Sequence, residues 1–223
     1  MKYEFTGKRK TLENGVVVRQ IRCKTYLKGE IAPGDLGGWI EKEVNLSHKG
    51  ECWVSTHAIV TGGAVVRDDA VVTDHAKVKD DAVVKDYSYV CGNAVISGKA
   101  RVSINGIVSG NAVVSGKAEV YGNAIVNDNA KVFGDARVYD YAEVSNNAEV
   151  YGSARVSSNT KVRGNAKVYG IAVVRGNAVV SGEAQVGGNA EVSGNAKVYG
   201  EAHVRGNTMI LLGNFSSRKL SEF

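Results

Sequence analysis

Small and branched apolar residues recur along this chain on a strict six-residue beat. From Ala58 to Thr208 every sixth residue is small: Ala at 22 of 26 positions, and Ser88, Gly106, Thr160 and Thr208 at the others. Two positions further on stands Val each time, except for Ile96 and Ile210. Residues two apart share one face of an extended segment, so each Ala and its Val point the same way and the residue between them points the other. One more outward residue follows the Val, and the two positions after it break the strand. The first is Gly in 16 of the 26 units and Asp in most of the rest, and the second is Asn in 12. Gly, Asn and Asp tolerate positive φ and favour sharp turns. Each hexad is therefore a short strand followed by a corner.

Three corners close a triangle, so three hexads make one coil. Counting Cys52 as the first small position gives 27 hexads, or nine coils. At a strand spacing of ~4.8 Å, nine coils make a rod on the order of 43 Å long. Each coil places three Ala and three Val inside, and its backbone groups pair with the coils above and below, as buried N–H and C=O groups require. Stability then accumulates coil by coil.

The repeat resembles the hexapeptide repeat of left-handed parallel β-helix proteins, over residues 52–212. The resemblance implies an all-β, left-handed parallel β-helix, a triangular solenoid. A period this regular belongs to the short β-helix class. Residues 34–54, with Gly37-Gly38-Trp39-Ile40-Glu41-Lys42-Glu43 and Cys52-Trp53-Val54, are similar to small hexapeptide proteins of bacteriophages and enteric bacteria, which are labelled transferases or carry no assigned function. That likeness implies a cytoplasmic, phage-linked protein. Solenoids of this kind commonly associate as trimers with parallel axes, so a homo-oligomer is expected, a trimer ahead of a dimer.

The ends read differently. Residues 16–23 form a strand pattern, and Asn14-Gly15 ahead of it is a hairpin signal. Residues 1–50 are thus expected to be an N-terminal β-hairpin cap, covering the open end that a solenoid must protect. Residues 51–212 form the β-helix and 213–223 a tail, with 209–212 folding over the last coil. No apolar run is long enough to span a bilayer, so no membrane span is expected. The start lacks an apolar core of signal-peptide length, and the three cysteines, an odd number without a Cys-x-x-Cys pair, fit reduced thiols in a cytosol.

Charge concentrates in the cap. Residues 1–28 hold eight Lys or Arg against Glu4 and Glu13, a balance of +6; the whole chain is +5, leaving −1 for the remainder. Lys8, Arg9, Lys10, Arg22 and Lys24 could attract an acidic protein or, less readily given the few interleaved aromatics, nucleic acid. A solvated hairpin face explains the same residues.

Positions separated by three hexads stack on one face, so the outer surface reads in columns. Val71, Tyr89, Ile107 and Ile125 form an apolar column that turns polar at Glu143 and Lys161. Such a stripe usually marks an interface, and a self-interface is the leading reading, although apolar residues scattered over a β surface are also ordinary. Phe133, Tyr151 and Tyr169 form a second column and Tyr121 with Tyr139 a third. Cross-coil packing of ~0.2–1 kcal/mol per pair accounts for them, although a row of aromatics can also anchor an unidentified protein partner.

Catalytic signals are sparse. Many left-handed β-helix proteins are acyltransferases with a loop that interrupts the hexads, a histidine base and an acyl-CoA groove. Here no insertion breaks residues 52–212. His57 and His75 stand three hexads apart, at one corner of adjacent coils with Asp69 and Asp74 near in sequence; His48 lies at the cap junction. These three are the candidate bases of an acetyl-CoA-dependent alternative. Two histidines from two rungs make no metal site of ordinary ligand count, and no metal or other cofactor is expected. The leading expectation is a non-catalytic solenoid that oligomerises and binds another macromolecule, and it leans away from an enzyme.

Overall fold

A computed structural model describes residues 1–216 and 219–221. Very short strands with intervening corners repeat along the chain and stack into three parallel sheets that wrap one core. The hexad dictates this arrangement. Every Ala and Val of the repeat from Ala58 to Val204 is at most 1 % exposed, and the residue between each pair faces outward. Adjacent coils keep a constant offset of three hexads: Val71 aligns with Tyr89, Tyr89 with Ile107, and Ile107 with Ile125. Backbone amides donate to the coil that follows in sequence, as in Ile107 N–H to Ala124 C=O at 2.9 Å and Ser109 N–H to Val126 C=O at 2.9 Å.

The corners solve a separate problem. From Gly62 to Gly206 the first corner residue adopts positive φ in every hexad. Where that residue is Asp, its carboxylate can accept the corner N–H of the next coil. Asp74 Oδ2 takes Gly92 N–H at 2.9 Å, Asp80 Oδ2 takes Gly98 N–H at 2.9 Å, and Asp128 Oδ2 takes Asn146 N–H at 2.9 Å. Asp128 sits at φ 57, a conformation its short polar side chain accommodates. The second corner residue builds ladders instead. Asn93, Asn111, Asn129, Asn147 and Asn165 pass side-chain hydrogen bonds from coil to coil at 3.0–3.2 Å.

Ile104 breaks the corner rule. It occupies the Gly/Asp position at φ 62 and is 46 % exposed. A β-branched residue in the left-handed region is strained by ~1–2 kcal/mol.

The N-terminal region is built on β1 (Tyr3–Thr11), β2 (Val17–Cys23) and β3 (Leu36–Ile40). β1 and β2 form the antiparallel hairpin that Asn14-Gly15 predicts, and β2 pairs antiparallel with β3. β3 then joins the solenoid in parallel, aligning Trp39 with Ile59 and Ile40 with Val60. The rod therefore begins earlier than the hexads suggest, and about ten turns replace the expected nine. The first lap, from Trp39 to Ile59, is longer than the regular three hexads, because it carries a 3-10 turn at Glu43–Asn45.

Lys2 and Tyr3 close the end of the core. The Lys2 ammonium is buried, donating to Cys52 C=O at 2.7 Å and to Gly50 C=O at 3.3 Å, and it lies 3.0 Å from Cys52 Sγ. The Tyr3 hydroxyl donates to Glu43 C=O at 2.8 Å and contacts Leu46 C=O at 3.1 Å.

At the other end, residues 209–212 do not fold over the last coil. Met209–Ile210 remains a regular rung, with Ile210 inside and Met209, Leu211 and Leu212 exposed. Beyond it Asn214–Phe215 and Lys219–Ser221 add two further parallel strands. Their offsets are shorter than three hexads, since Lys197 aligns with Asn214 and His203 with Lys219. Residues 217, 218, 222 and 223 of the expected tail lie outside the described residues.

Two outcomes test this architecture. Val132→Asp puts an unpaired carboxylate at a fully buried site, and chemical denaturation should show a loss of more than ~3 kcal/mol. An unaltered midpoint would contradict an interior Val132. Burial, foremost, also raises the Tyr3 phenol above its usual 10.0 and the Cys52 thiol above its usual 9.0. Both groups hold their protons more tightly folded than unfolded. The stability these two groups contribute should thus be fully present below about pH 9 and be lost as the pH rises further. Tyr89, Tyr121 and Cys91 shift the same way, so the Tyr3→Phe/Cys52→Ala double variant should show a shallower alkaline slope, not a flat one. Equal slopes for the double variant and the parent would contradict this.

Candidate functional site

Three surface features gather most of the candidate residues. The first is the apolar column. Val71, Tyr89, Ile107 and Ile125 are cross-coil neighbours in one ladder, with Tyr89 41 % exposed and the others half-buried. Below them Glu143 and Lys161 form an ion pair at 3.8 Å, which ends the stripe after four coils. At its edge the preceding corner adds Tyr87, 66 % exposed, and the strained Ile104, whose C=O accepts the Tyr87 N–H at 2.7 Å. The stripe is thus wider than one column. Sequence columns alone missed Ile104, although a branched residue at a Gly/Asp position is a readable signal.

The second feature is a groove on the sheet that β3 enters. Its floor is the outward row Ile59, Lys77 and Val95, its side is the corner of His57, His75 and Asn93, and the tip of the β1–β2 hairpin overhangs it with Lys10, Leu12 and Glu13. The His57 and His75 rings stack at 4.9 Å and 17°. They head the same column as the Asn93–Asn165 ladder. Neither imidazole has a hydrogen-bond partner among the described residues. Asp69 and Asp74 do not serve them: Asp69 accepts Glu51 N–H at 2.9 Å and meets Lys28 at 3.7 Å, and Asp74 caps the next corner. No imidazole of this pair is therefore held by a carboxylate in the manner of an oriented base. Among the described residues no group of three His, Cys, Asp or Glu could hold a metal.

The basic set of the cap divides here. Lys10 turns toward the solenoid, its ammonium 4.4 Å from the centre of the Trp39 ring. Burial, and secondarily the Lys77 charge, lowers its pKa below the usual lysine value. Lys8, Arg9, Arg22 and Lys24 stay exposed on the hairpin, and Lys24 is paired with Glu4 at 3.5 Å. The structure thus brings Lys10 to His57 and His75, which the sequence treats separately.

His48 belongs to neither feature. Its Nδ1 accepts Lys2 N–H at 3.2 Å, its Nε2 meets Glu43 Oε1 at 3.1 Å, and its ring stacks on Tyr3 at 4.4 Å. Both nitrogens are occupied in holding the cap.

The third feature is the aromatic column. Phe133 stacks on Tyr151 at 4.9 Å and 3°, and Tyr151 on Tyr169 at 5.4 Å and 11°. Tyr169 then lies over Gly187, where any Cβ would overlap its ring. Each internal π-face is covered by a neighbour, so no base or sugar ring can stack there. Only ring edges and hydroxyls face a partner. Tyr121 and Tyr139 stack likewise at 5.1 Å.

Among the described residues no helix is long and apolar enough to cross a membrane. No protein-family model matches the chain, and no curated protein matches it significantly.

Replacing Gly187 tests the aromatic column as packing. Gly187→Ser should displace the Tyr169 ring and lower stability by about 0.5–1 kcal/mol in denaturant melts. A gain in stability would contradict the ring lying flat on that glycine.

Proposed function

We propose that the protein is a non-catalytic solenoid that self-associates through the face of Val71, Tyr89, Ile107 and Ile125, with Tyr87 and Ile104 at its margin, and presents its remaining faces to another macromolecule. The single observation behind this reading is Ile104. A branched apolar side chain is held exposed, at a strained φ of 62, beside a half-exposed apolar stripe. Strain of this kind is retained where it serves a surface, since Gly, the commonest residue at this corner position, would relieve it. Burying the stripe against a second copy returns the apolar surface to a dry environment at ~25 cal/mol per Å². Assembly as a parallel trimer places the three stripes around a common axis.

Catalysis by acyl transfer from acetyl-CoA is the alternative. Nothing in the geometry favours it: His48 is occupied in the cap, and His57 and His75 lack an orienting carboxylate.

Light scattering tests the association. Ile107→Lys should lower the mass to that of a single chain. Ile104→Gly should split two properties, raising the stability of the monomer by about 1 kcal/mol while weakening association. A mass unchanged by Ile107→Lys would reject this face as the contact. Millimolar acetyl-CoA should leave the melting temperature unmoved; stabilisation that disappears in His57→Ala or His75→Ala would reverse the ranking.

A further inference from the structure

The groove beneath the hairpin is independent of the association face and has chemistry of its own. Its two adjoining lobes enclose about 500 and about 630 Å³ and share Lys10, Ile59, Lys77 and Val95. Lys10 overhangs the groove from the hairpin, Lys77 rises from its floor between Ile59 and Val95, and Lys79, two residues on, extends the lining. None of the three has a carboxylate within ion-pair distance among the described residues, whereas Lys131, Lys161 and Lys167 on other coils each meet a glutamate at 3.4–3.8 Å. The stacked His57 and His75 add two unpartnered imidazoles on the same side. Glu13, at the hairpin tip, is the lone acid of the lining. Ile59 and Val95 flank Lys77 on the coils before and after it, and Leu12 joins the lining from the hairpin.

We propose that this groove binds a short acidic segment of a partner protein, its carboxylates paired with Lys10 and Lys77 and an apolar side chain laid on the aliphatic surface beside Lys77. Charge complementarity names the occupant: cations on the overhang and on the floor, with the acid confined to the tip. The lining also separates peptide from nucleic acid. Single strands bind basic grooves by stacking bases on free aromatic faces. Here the histidine rings face each other and the Trp39 ring lies under the Lys10 ammonium. On either side of Lys77 the floor is aliphatic, at Ile59 and Val95, which suits an apolar side chain. Binding also relieves the close approach of Lys10 to Lys77, since an anion placed between them offsets their repulsion.

Fluorescence anisotropy with a labelled Glu-Glu-Leu-Glu-Glu peptide at low salt tests the assignment, using the full chain. Lys77→Glu and Lys79→Glu lie on exposed positions and leave the core untouched; each should weaken binding about fivefold. Lys197→Glu carries the same charge change on another face and should bind as the parent does. Ile107→Lys should also bind normally, which keeps this result separate from the association face. The proposal is overturned if the parent does not bind the peptide. Equal weakening by Lys197→Glu, which would mean diffuse attraction, overturns it too. So does tighter binding of a thymidine decamer that Lys77→Glu abolishes.

Discussion

Register between coils is the constraint on which everything else in this molecule depends. Each short strand is far too small to be stable alone, and it exists only because its amides and carbonyls find partners one lap away. The Ala and Val rows follow from that offset, since so narrow an interior admits a small and a branched residue in fixed alternation. So does the surface. Columns of like residues appear because the ladder places each residue on its counterpart three hexads later. Asn ladders, aspartate caps and stacked rings are the same device in different chemistry.

The two ends show how the constraint is released. At the start, Lys2 and Tyr3 supply the hydrogen bonds that no preceding coil can offer, to Cys52, Gly50, Glu43 and Leu46. Burying an ammonium is costly unless its protons are bonded, and two carbonyls at the top of the rod meet that need. At the far end the offsets shrink below three hexads, so the strands persist while the side-chain columns lapse.

Much of the rod was legible in the sequence because one residue type per position suffices to encode it. Ala58, Val60 and their successors name the core, and Asn14-Gly15 names the hairpin. The stripe of Val71, Tyr89, Ile107 and Ile125 follows from counting. Features that depend on long-range docking were not legible. The longer first lap through β3 has no hexad signature, because a 3-10 turn absorbs the extra length. The approach of Lys10 to His57 and His75 depends on how the hairpin bends over the sheet it caps, and no local pattern records that bend. His48 looked available until its two nitrogens were found engaged. Ile104 was visible as a departure from Gly and Asp, but its strain has meaning only once the corner φ is known.

The account stands or falls on the three-hexad lap with like stacked on like, and paired cysteines measure it directly. In a Cys91→Ser background, cysteines replacing Asn111 and Asn129 occupy neighbouring rungs, whose side chains already touch at 3.0 Å. Strand neighbours lie within the ~4.4–6.8 Å that a disulfide spans. Mild oxidation should close this pair quantitatively within one chain, and should leave a pair replacing Asn111 and Asn123, two hexads apart at different corners, reduced. Ready closure of the Asn111/Asn123 pair, with the Asn111/Asn129 pair left open, would contradict the fold and every surface assigned on it.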